Sequence, residues 1–305
     1  MIPDPSAPTQ PTRPRPAPPA VLLAQTQPRP PARRRKLLSP VLLAGLLLGL
    51  LLGAYFLAPL RTTILLLGID RSPEGTALGR SDTLILTTVL PLRPYVGMLS
   101  IPRDLWVTLP GDGPNRINTA HFFAEEAEPG SGPAAAMETV RTNFGVDVDN
   151  YVRIQFGGIR GFVDALGGLV VDLDLPTAGL AAGHHVLTGE EALAFVRYRE
   201  GGDDFTRIGN AQLFLRAVLR QLLHPTSWPR LPLALWALIR ALDSDIPPWM
   251  WPRLGLSVLR LGPGGVDLRS VSREMVEPFM TAGGASVLAP NWALINPVLL
   301  EMFGQ

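Results

Sequence analysis

The strongest constraint in this sequence is a run of 24 residues, from position 37 to position 60, that contains no charged side chain. As an α-helix the run would span roughly 36 Å, which exceeds the ~30 Å hydrocarbon core of a bilayer. The four residues before it, 33–36, are all cationic, which predicts a cytoplasmic N-terminus and a body outside the membrane. A cleaved signal peptide would have a shorter apolar region, and a core helix would have a polar face. The run therefore predicts that residues 37–60 form a signal anchor that crosses the cytoplasmic membrane once.

The first 36 residues form a separate segment. They hold about a third of the 32 prolines and cannot bury enough apolar surface to fold, so we expect a disordered Pro/Arg-rich cytoplasmic tail. Seven basic residues and one aspartate give this tail a charge of +6, so the rest of the chain carries −5. A nucleic-acid-binding body would show the opposite balance, and we expect no nucleic-acid partner.

The chain has no cysteine, and Lys36 is its one lysine. The absence of cysteine excludes disulfides, thiolate-ligated zinc, iron–sulfur clusters and a thiol nucleophile. Because the body has no lysine, a phosphate-binding site in it must be built from arginine, whose planar guanidinium can donate two parallel hydrogen bonds to phosphate.

Beyond residue 61 short apolar runs alternate with helical patterns. The runs predict strands over residues 62–67, 83–90, 95–101, 151–156, 169–173 and 266–271. The helical patterns cover residues 134–144, 159–166, 188–196 with a cap at Thr188, 205–223 and 231–242. Because continuously apolar strands need cover on both faces, we expect an α/β sandwich that forms one domain over residues 62–305.

Two aspartates flank the loop between the first two predicted strands. Asp70 follows the first strand and Asp82 precedes the second, with a glycine-containing loop between them. Mg²⁺ binds one or two protein carboxylates and takes its other ligands from water and phosphate, so the pair is a candidate metal site. The structural alternative is that Asp70 caps a turn and Asp82 pairs with a neighbouring arginine.

Arginines cluster after later elements. The candidates are Arg103, with Asp104, and Arg116 after the third strand, and Arg197, Arg199, Asp204 and Arg207 further along the chain. Each group alone is also typical of surface ion pairs. There is no P-loop and no Ser-His-Asp arrangement, the four histidines lack metal-ligand spacing, and His184 and His185 are predicted to lie in a solvated turn. A divalent metal with arginines and no protein nucleophile suggests phosphoryl transfer, in which the protein positions groups and neutralises charge.

These residues also occur in a recognisable order. The order is Gly68-x-Asp70, Arg80-Ser81-Asp82-Thr83, Ser100-Ile101-Pro102-Arg103-Asp104, Arg116-Ile117-Asn118, Val163-Asp164-Ala165-Leu166-Gly167-Gly168 and Arg197-x-Arg199. It resembles the LytR-CpsA-Psr family of membrane-anchored cell-wall glycopolymer transferases, densely over residues 62–224 and loosely elsewhere. The resemblance implies an extracytoplasmic α-β-α sandwich with a mixed central sheet. It also implies a polyprenyl-(pyro)phosphate-linked glycan substrate, transfer of the glycan with its phosphate to peptidoglycan, and Mg²⁺, or Mn²⁺ in its place.

The resemblance also assigns roles to individual residues. It makes Asp70 and Asp82 the metal-associated carboxylates. It makes Arg103, Arg197, Arg199 and Arg207 the pyrophosphate-binding arginines, with Arg116 where the family often has lysine. Arg103 and Arg207 would also stabilise the charge that develops during the reaction. Asp204 matches the acidic residue that precedes the last of these arginines, and we assign it the role of general base.

One position departs from the family pattern. The family continues after Arg207 into an Arg-Gln pair, where this chain has Asn210-Ala211, and Gln212 lies one place later, about 100° further around a helix. Either Asn210 takes over the contact of the missing glutamine, or the activity is altered. The missing pair leaves open a non-catalytic binding protein for lipid-linked glycans of the cell envelope. A polyprenyl-pyrophosphate hydrolase with water as acceptor also stays open, because an acceptor site need not carry a motif.

Overall fold

The computed structural model describes residues 40–57, 60–69, 78–91, 94–198, 204–262 and 264–304, apart from the side chains of Phe156 and Asp204. The chain divides into two compact units, residues 1–48 and 49–305, and helix α1 (Pro40–Leu57) crosses that division. Within the described ranges no helix has the length and apolarity needed to cross a membrane. The predicted transmembrane helix is therefore not confirmed, and the predicted tail over residues 1–36 lies outside the described residues.

Among the described residues the second unit is built around a six-stranded sheet in the order β10-β3-β2-β1-β6-β9. The strands are β1 (Thr62–Ile69), β2 (Ser81–Leu90), β3 (Tyr95–Ile101), β6 (Asn150–Gln155), β9 (Leu242–Ser244) and β10 (Val266–Ser270). Strands β1 to β3 form an antiparallel meander, β6 and β10 run parallel to β1 and β3, and β9 is antiparallel to β6. The sheet is mixed, which confirms that part of the prediction.

In the part of the chain that the structure describes, three short hairpins lie outside this sheet. They pair β4 (Trp106–Leu109) with β5 (Gly113–Arg116), β7 (Leu169–Leu173) with β8 (Gly183–Leu187), and β11 (Val276–Met280) with β12 (Ser286–Pro290). The prediction that His184 and His185 lie in a turn is wrong, because both belong to β8 and pair there with Asp172 and Val171. The His184 side chain is exposed, as predicted, whereas that of His185 is half-buried.

Helices cover both faces of the sheet. They are α2 (Thr119–Ala127), α3 (Gly132–Phe144), α4 (Phe156–Leu166), α5 (Gly189–Arg197), α6 (Asp204–Leu223), α7 (Leu231–Ala241), α8 (Trp251–Leu261) and α9 (Trp292–Phe303). Helices α2, α3 and α9 pack on one face, and α6 and α8 pack on the other. Helices α4, α5 and α7 form a further core with β7 and the C-terminal half of α6. The sandwich of helix, sheet and helix was predicted.

The continuous apolar runs exist because each central strand serves two cores. In β1, Leu65 and Leu67 belong to the core under α2, α3 and α9, while Ile64 belongs to the core under α6 and α8. The predicted cap at Thr188 is confirmed. Its hydroxyl accepts a hydrogen bond from the Glu191 amide at 3.3 Å, and the Glu191 carboxylate accepts one from the Thr188 amide at 2.8 Å. The predicted strands and helices are all present, with shifts of one to three residues at their ends.

The two ends of the sheet carry different residues. One end of the sheet is formed by the end of β1, the start of β2 and the end of β3, because Ile69 lies opposite Ser81 and Leu84 lies opposite Ile101. We call this the site end. The start of β1 and the connection between β2 and β3 form the opposite end.

Candidate functional site

Asp82 enters the site through an irregularity in β2. Gly68 pairs with Thr83 and Ile69 pairs with Ser81, so Asp82 has no partner on β1 and forms a bulge. A bulge changes the direction of a side chain at a sheet end. The carboxylate of Asp82 therefore faces groups from β3 and α6.

Two guanidinium groups converge on this carboxylate. Nη1 of Arg103, which follows β3, donates a hydrogen bond to Oδ1 of Asp82 at 2.5 Å. Nη1 of Arg207, on the first two turns of α6, lies 3.5 Å from the same oxygen. The Arg207 side chain is only 5% exposed, so its charge acts in a region of low dielectric, where Coulomb interactions are stronger than in water.

The chain of charges continues along the site end. Nε of Arg103 donates to Oδ2 of Asp104 at 3.3 Å, and Nε of Arg116 forms an ion pair with Oδ1 of Asp104 at 3.2 Å. Arg116 also donates from Nη2 to the Ser286 carbonyl at 2.9 Å. Among the described side chains of the site, three arginines thus alternate with two aspartates. Guanidinium groups arranged in this way suit an anionic ligand such as a phosphate.

Asn118 connects the elements that carry these charges. Its backbone N–H donates to the Arg103 carbonyl at 3.3 Å, and its own carbonyl accepts from the Ser81 hydroxyl at 3.4 Å. The loop after β5 thereby holds the residue before Asp82 and the residue that binds Asp82. The Asn118 side chain is buried, and its Oδ1 has no hydrogen-bond partner in the part of the chain that the structure describes.

The start of α6 lies against the same edge. Asp82, Thr83, Ser100, Arg207 and Ala211 line a narrow cleft. Ala211, which stands where the family resemblance implies a glutamine, therefore presents only a methyl group to the cleft.

The neighbours of Ala211 point elsewhere. Asn210 is buried and donates to the Tyr198 carbonyl at 3.3 Å, while Gln212 donates to the Arg269 carbonyl at 2.9 Å and to the Ser100 hydroxyl at 3.4 Å. Of the two alternatives for the missing glutamine contact, the structure favours an altered contact over replacement by Asn210, because the Asn210 amide fastens α6 to the end of α5.

The remaining predicted residues are described to different extents. Arg197 is the last residue of α5 and is exposed, and the Tyr198–Asn210 hydrogen bond ties this end of α5 to α6. Asp204 begins α6, but its side chain is not described, and Asp70 and Arg199 lie outside the described residues. The structure thus brings Asp82, Arg103, Arg116 and Arg207 together; the others are not tested.

Arg80 was not among the predicted site residues. It lies two positions before Asp82, is exposed, and makes no hydrogen bond or ion pair with another described residue. Its place in the Arg80-Ser81-Asp82-Thr83 motif was the signal for it.

The donor set at Asp82 is compatible with a magnesium ion. Both arginines face Oδ1, and no described residue donates a hydrogen bond to Oδ2. Within the described ranges no group of three or more His, Asp or Glu side chains is placed to hold a metal ion. Because Mg²⁺ takes few ligands from protein and the rest from water and phosphate, a single free carboxylate oxygen fits it.

A buried cluster behind the site supports the start of β2. Nδ1 of His121 lies 3.0 Å from the Gly79 carbonyl, and its Nε2 lies 3.2 Å from Nη1 of Arg153. Arg153 is held by Glu125 at 3.0 Å. Since a carbonyl only accepts and a guanidinium only donates, His121 must be neutral, with its proton on Nδ1. Burial lowers the pKa of His121, which agrees with this assignment.

Glu125 in this cluster is ionised. Burial alone would raise its pKa, but the amides of Gly130 and Gly132 and the Arg153 guanidinium outweigh that effect, and the pKa is lowered. A Cβ atom on Gly132 would come within 2.7 Å of Oε2 of Glu125, so this position requires glycine. Because the cluster joins α2, β6 and the loop before Asp82, no local sequence pattern signals it.

Comparison with known proteins bears directly on this geometry. The LytR_cpsA_psr family model matches residues 60–278. The teichoic acid transferase TagU of Oceanobacillus iheyensis is 39% identical over 141 residues, which are 45% of this chain and 43% of that protein. TagU of Enterococcus faecalis is 31% identical over 173 residues, 54% of this chain and 55% of that protein. The chain thus spans about half the length of the curated relatives it matches.

Solved structures show the same fold. The crystal structure of B. subtilis TagV matches with a TM-score of 0.65 at 24% identity, and the match covers 81% of this chain and 98% of the TagV chain. The structure of TagT bound to LI-WTA matches with a TM-score of 0.63 at 23% identity, and the match covers 80% of this chain and 91% of the TagT chain. The family match covers most of the body and includes the Asp82–Arg103–Arg207 cluster. The chain belongs to the LytR-CpsA-Psr family.

Proposed function

We propose that this protein transfers a glycopolymer, together with its phosphate, from a polyprenyl-pyrophosphate carrier to peptidoglycan. The observation that carries the proposal is the convergence of Arg103 and Arg207 on one carboxylate oxygen of Asp82. Two guanidinium groups, of which that of Arg207 is buried, lie beside a carboxylate whose other oxygen accepts no hydrogen bond from a described residue, and this set can hold a pyrophosphate and its counter-cation.

The similar proteins support the substrate class. The TagU relatives carry the name polyisoprenyl-teichoic acid–peptidoglycan teichoic acid transferase, and one structural neighbour is TagT bound to LI-WTA. A lipid-linked anionic glycan and a peptidoglycan acceptor are therefore the substrates we assign to this chain.

The arginines supply electrostatic stabilisation. Arg103 and Arg207 reach the site from β3 and α6, and Arg116 extends the positive charge along the edge of the sheet. In the reaction negative charge moves onto the polyprenyl phosphate that leaves. Donors fixed in place before the reaction stabilise that charge without reorganising, which is commonly the largest contribution to catalysis.

The reaction is a displacement at phosphorus. A hydroxyl oxygen of the wall glycan forms a bond to the phosphorus that carries the sugar, and the bond from that phosphorus to the bridging oxygen breaks. Polyprenyl phosphate leaves with the electron pair, and the hydroxyl proton passes to Asp204, which we assign as general base. Arg197 and Arg199 complete the pyrophosphate site in this proposal.

We assign a divalent cation, Mg²⁺ or Mn²⁺, to Asp82 and Asp70. A cation bound there neutralises pyrophosphate charge. Asp82 offers Oδ2 for it, and Arg103 and Arg207 keep this side chain in place.

We further propose that residues 37–60 anchor the protein in the cytoplasmic membrane. Residues 1–36 would then form a cytoplasmic tail, and residues 62–305 an extracytoplasmic catalytic domain. Support comes from the sequence: four cations precede 24 uncharged residues, and the charge of the remainder is opposite in sign to that of the tail.

One observation favours a second candidate function, a binding protein that does not catalyse transfer. Ala211 offers the cleft no hydrogen-bonding group at the position where the family has glutamine. If the chemical step needs the side-chain amide of that glutamine, this chain would bind the carrier through its arginines without catalysing transfer.

The test uses the purified full chain with Mg²⁺ and a synthetic polyprenyl-pyrophosphate-linked disaccharide, with and without peptidoglycan oligomers. Mass spectrometry identifies the products. We expect a disaccharide-phosphate adduct only when the acceptor is present. Sugar phosphate without an adduct would indicate a hydrolase, and unchanged substrate that co-purifies with the chain would indicate a binding protein.

Asp82→Ala tests the assignment of the site within the same assay. We expect it to lower adduct formation by roughly a hundredfold or more, the usual scale for removing one electrostatic element of an active site. The control is Asp147→Ala, because Asp147 is 80% exposed and forms a surface ion pair with Arg141. Equal activity of both variants would contradict the site.

A further inference from the structure

Helix α8 has an unusual distribution of polarity. Its exposed side includes Trp251 and Leu259, which is 60% exposed, and Trp249 just before the helix is 68% exposed. Its inward side packs Leu254 into the core and also buries Arg253, which is only 7% exposed. The helix therefore carries large apolar groups on its outward side as well as its inward side, whereas the outward side of an amphipathic helix in water is usually polar. Outward apolar groups of this size are typical of a surface that binds a partner.

Hydrogen bonds fix where this helix lies. Nη2 of Arg253 donates to the Leu60 carbonyl at 2.7 Å, and Nη1 of Arg260 donates to the Pro91 carbonyl at 2.7 Å. Leu60 comes just before β1 and Pro91 just after β2, so α8 lies at the end of the sheet opposite Asp82. Leu60 is itself exposed.

We propose that Leu60, Trp249, Trp251 and Leu259 form a docking face that rests on the surface of a lipid bilayer. The inference rests on the proposal that residues 37–60 are a membrane anchor, and it goes beyond that proposal by giving the body a second membrane contact. Leu60 is the last residue of the predicted anchor, so the docking face begins where the chain would leave the bilayer.

The chemistry of the face matches the bilayer interface. Tryptophan is enriched at the level of the lipid headgroups, where its ring is buried and its N–H meets water. Arg260, which is exposed at the edge of the face, can meet lipid phosphates. A protein partner has no such link to the anchor, which is why we assign the face to lipid.

The docking face also sets the height of the site. Asp82 and Leu90 lie eight residues apart along β2, which corresponds to roughly 26 Å. The pyrophosphate of a carrier lipid must therefore rise out of the bilayer plane to reach Arg103 and Arg207.

The absence of cysteine from the chain makes a direct test simple. Leu259→Cys places a single thiol on the docking face, and Met280→Cys places one at the site end, where Ser286, the β12 partner of Met280, binds Arg116. The two side chains are matched in exposure, 60% and 63%. Each full-length variant is labelled with an environment-sensitive fluorophore and reconstituted into vesicles of phosphatidylcholine and phosphatidylglycerol.

The readout is quenching by the same lipids brominated on their acyl chains, after flotation has shown that the chain is in the vesicles. A label inserted at the headgroup–acyl boundary should lose about half its emission or more, and the Met280→Cys label should lose almost none. Adding Trp249→Glu and Trp251→Glu should abolish the quenching of the Leu259→Cys label without changing flotation. The Met280→Cys label in the same background checks that the fold persists.

Three results would overturn the inference. If the chain floats and the two labels behave alike, the docking face is wrong and the anchor stands. If the chain does not float, the anchor proposal fails and the docking face falls with it. If the Leu259→Cys label is shielded in detergent without vesicles, in a way that depends on protein concentration, the face binds a second copy of the chain.

Discussion

Nη1 of Arg207 lies 3.5 Å from Oδ1 of Asp82, although the two residues belong to different halves of the chain. The contact joins the first turns of α6 to the bulge at the start of β2. It places a buried positive charge beside the one described carboxylate that retains a free oxygen at the centre of the site. Several expectations depend on this pair and on the residues that hold it.

Arg207→Lys should impair transfer while preserving the fold. Lysine keeps the charge, but it loses the planar set of donors and cannot bind phosphate through two parallel hydrogen bonds. We expect kcat/KM for transfer to fall by roughly tenfold to a hundredfold. Arg220→Lys on the same helix is the control, because Arg220 is exposed and pairs with Asp172. Similar losses in both variants would contradict the role of Arg207.

Asn210→Ala should act through α5. The substitution removes the hydrogen bond to the Tyr198 carbonyl and loosens the end of the helix that carries Arg197. We expect a loss of about 1 kcal/mol in stability, or roughly 2–4 °C in Tm, together with a higher KM for the carrier.

Gln212→Ala is the matched control for Asn210→Ala. It also removes buried hydrogen bonds, to Arg269 and Ser100, so it should cost a comparable amount of stability. Because its contacts lead to β10 and β3 rather than to Arg197, its KM should stay closer to that of the parent chain. Equal KM values in the two variants would show that the Tyr198 contact has no part in binding.

Stability should fall in mild acid because of His121. Its pKa is lowered in the folded state, so the unfolded chain binds a proton first as the pH drops below the usual value of 6.5. The contribution of this group is complete above that value and is lost, at up to about 1.4 kcal/mol per pH unit, as the pH falls towards the folded pKa. Arg153, Glu125 and Asp243 are the charged groups around the ring.

Thermal unfolding at pH 7.5, 6.5 and 5.5 measures this effect. His121→Asn keeps an N–H donor for the Gly79 carbonyl but does not titrate, so its Tm should change less across the series than that of the parent chain. Glu125 contributes a nearly constant amount here, because its lowered pKa makes its stabilisation complete above the usual value of 4.5. Parallel Tm profiles for the two proteins would rule out His121 as the cause.

Gly132→Ala should damage the support behind the site. The added Cβ would lie 2.7 Å from Oε2 of Glu125 and 2.8 Å from the His121 ring, both of which are held by other hydrogen bonds. We expect a loss of about 1–3 kcal/mol, as for other overpacked interiors. Gly161→Ala in α4 is the control, since a Cβ there meets no atom within 4 Å and alanine favours helix. A Tm for Gly132→Ala at or above that of Gly161→Ala would contradict the packing.

The antiparallel meander and α5 could be predicted, because β1 to β3 are largely apolar and Thr188 marks the start of α5. Helices α2, α8 and α9 were not predicted, since no side-chain cap marks where they begin, and β9 was missed because it has only three residues. The pairing of β7 with β8 was not predictable, since the histidines of β8 look like loop residues. In the site, Asp82, Arg103, Arg116 and Arg207 were found from motif order. The bulge at Asp82 depends on the register between β1 and β2, in which Gly68 lies opposite Thr83 and Ile69 opposite Ser81, and no residue pattern reveals that register.

The cluster in which His121 supports the start of β2 could not be predicted either, because it too depends on contacts between distant parts of the chain. His121, Glu125 and Arg153 come together only because α2 packs beside β6, and an isolated histidine carries no signal of its partner. Asn210 shows the limit of analogy. Its position suggested a substitute for glutamine in the cleft, whereas the turn of α6 directs it to Tyr198.

The most direct test of the account follows the phosphorus atom. A carrier labelled with ³²P at the phosphorus that bears the sugar is incubated with the full chain, Mg²⁺ and peptidoglycan oligomers, and the products are separated. We predict that the label moves to the peptidoglycan and that the transfer disappears in Asp82→Ala. Label that stays on the lipid, or that appears only as free sugar phosphate, would contradict the account.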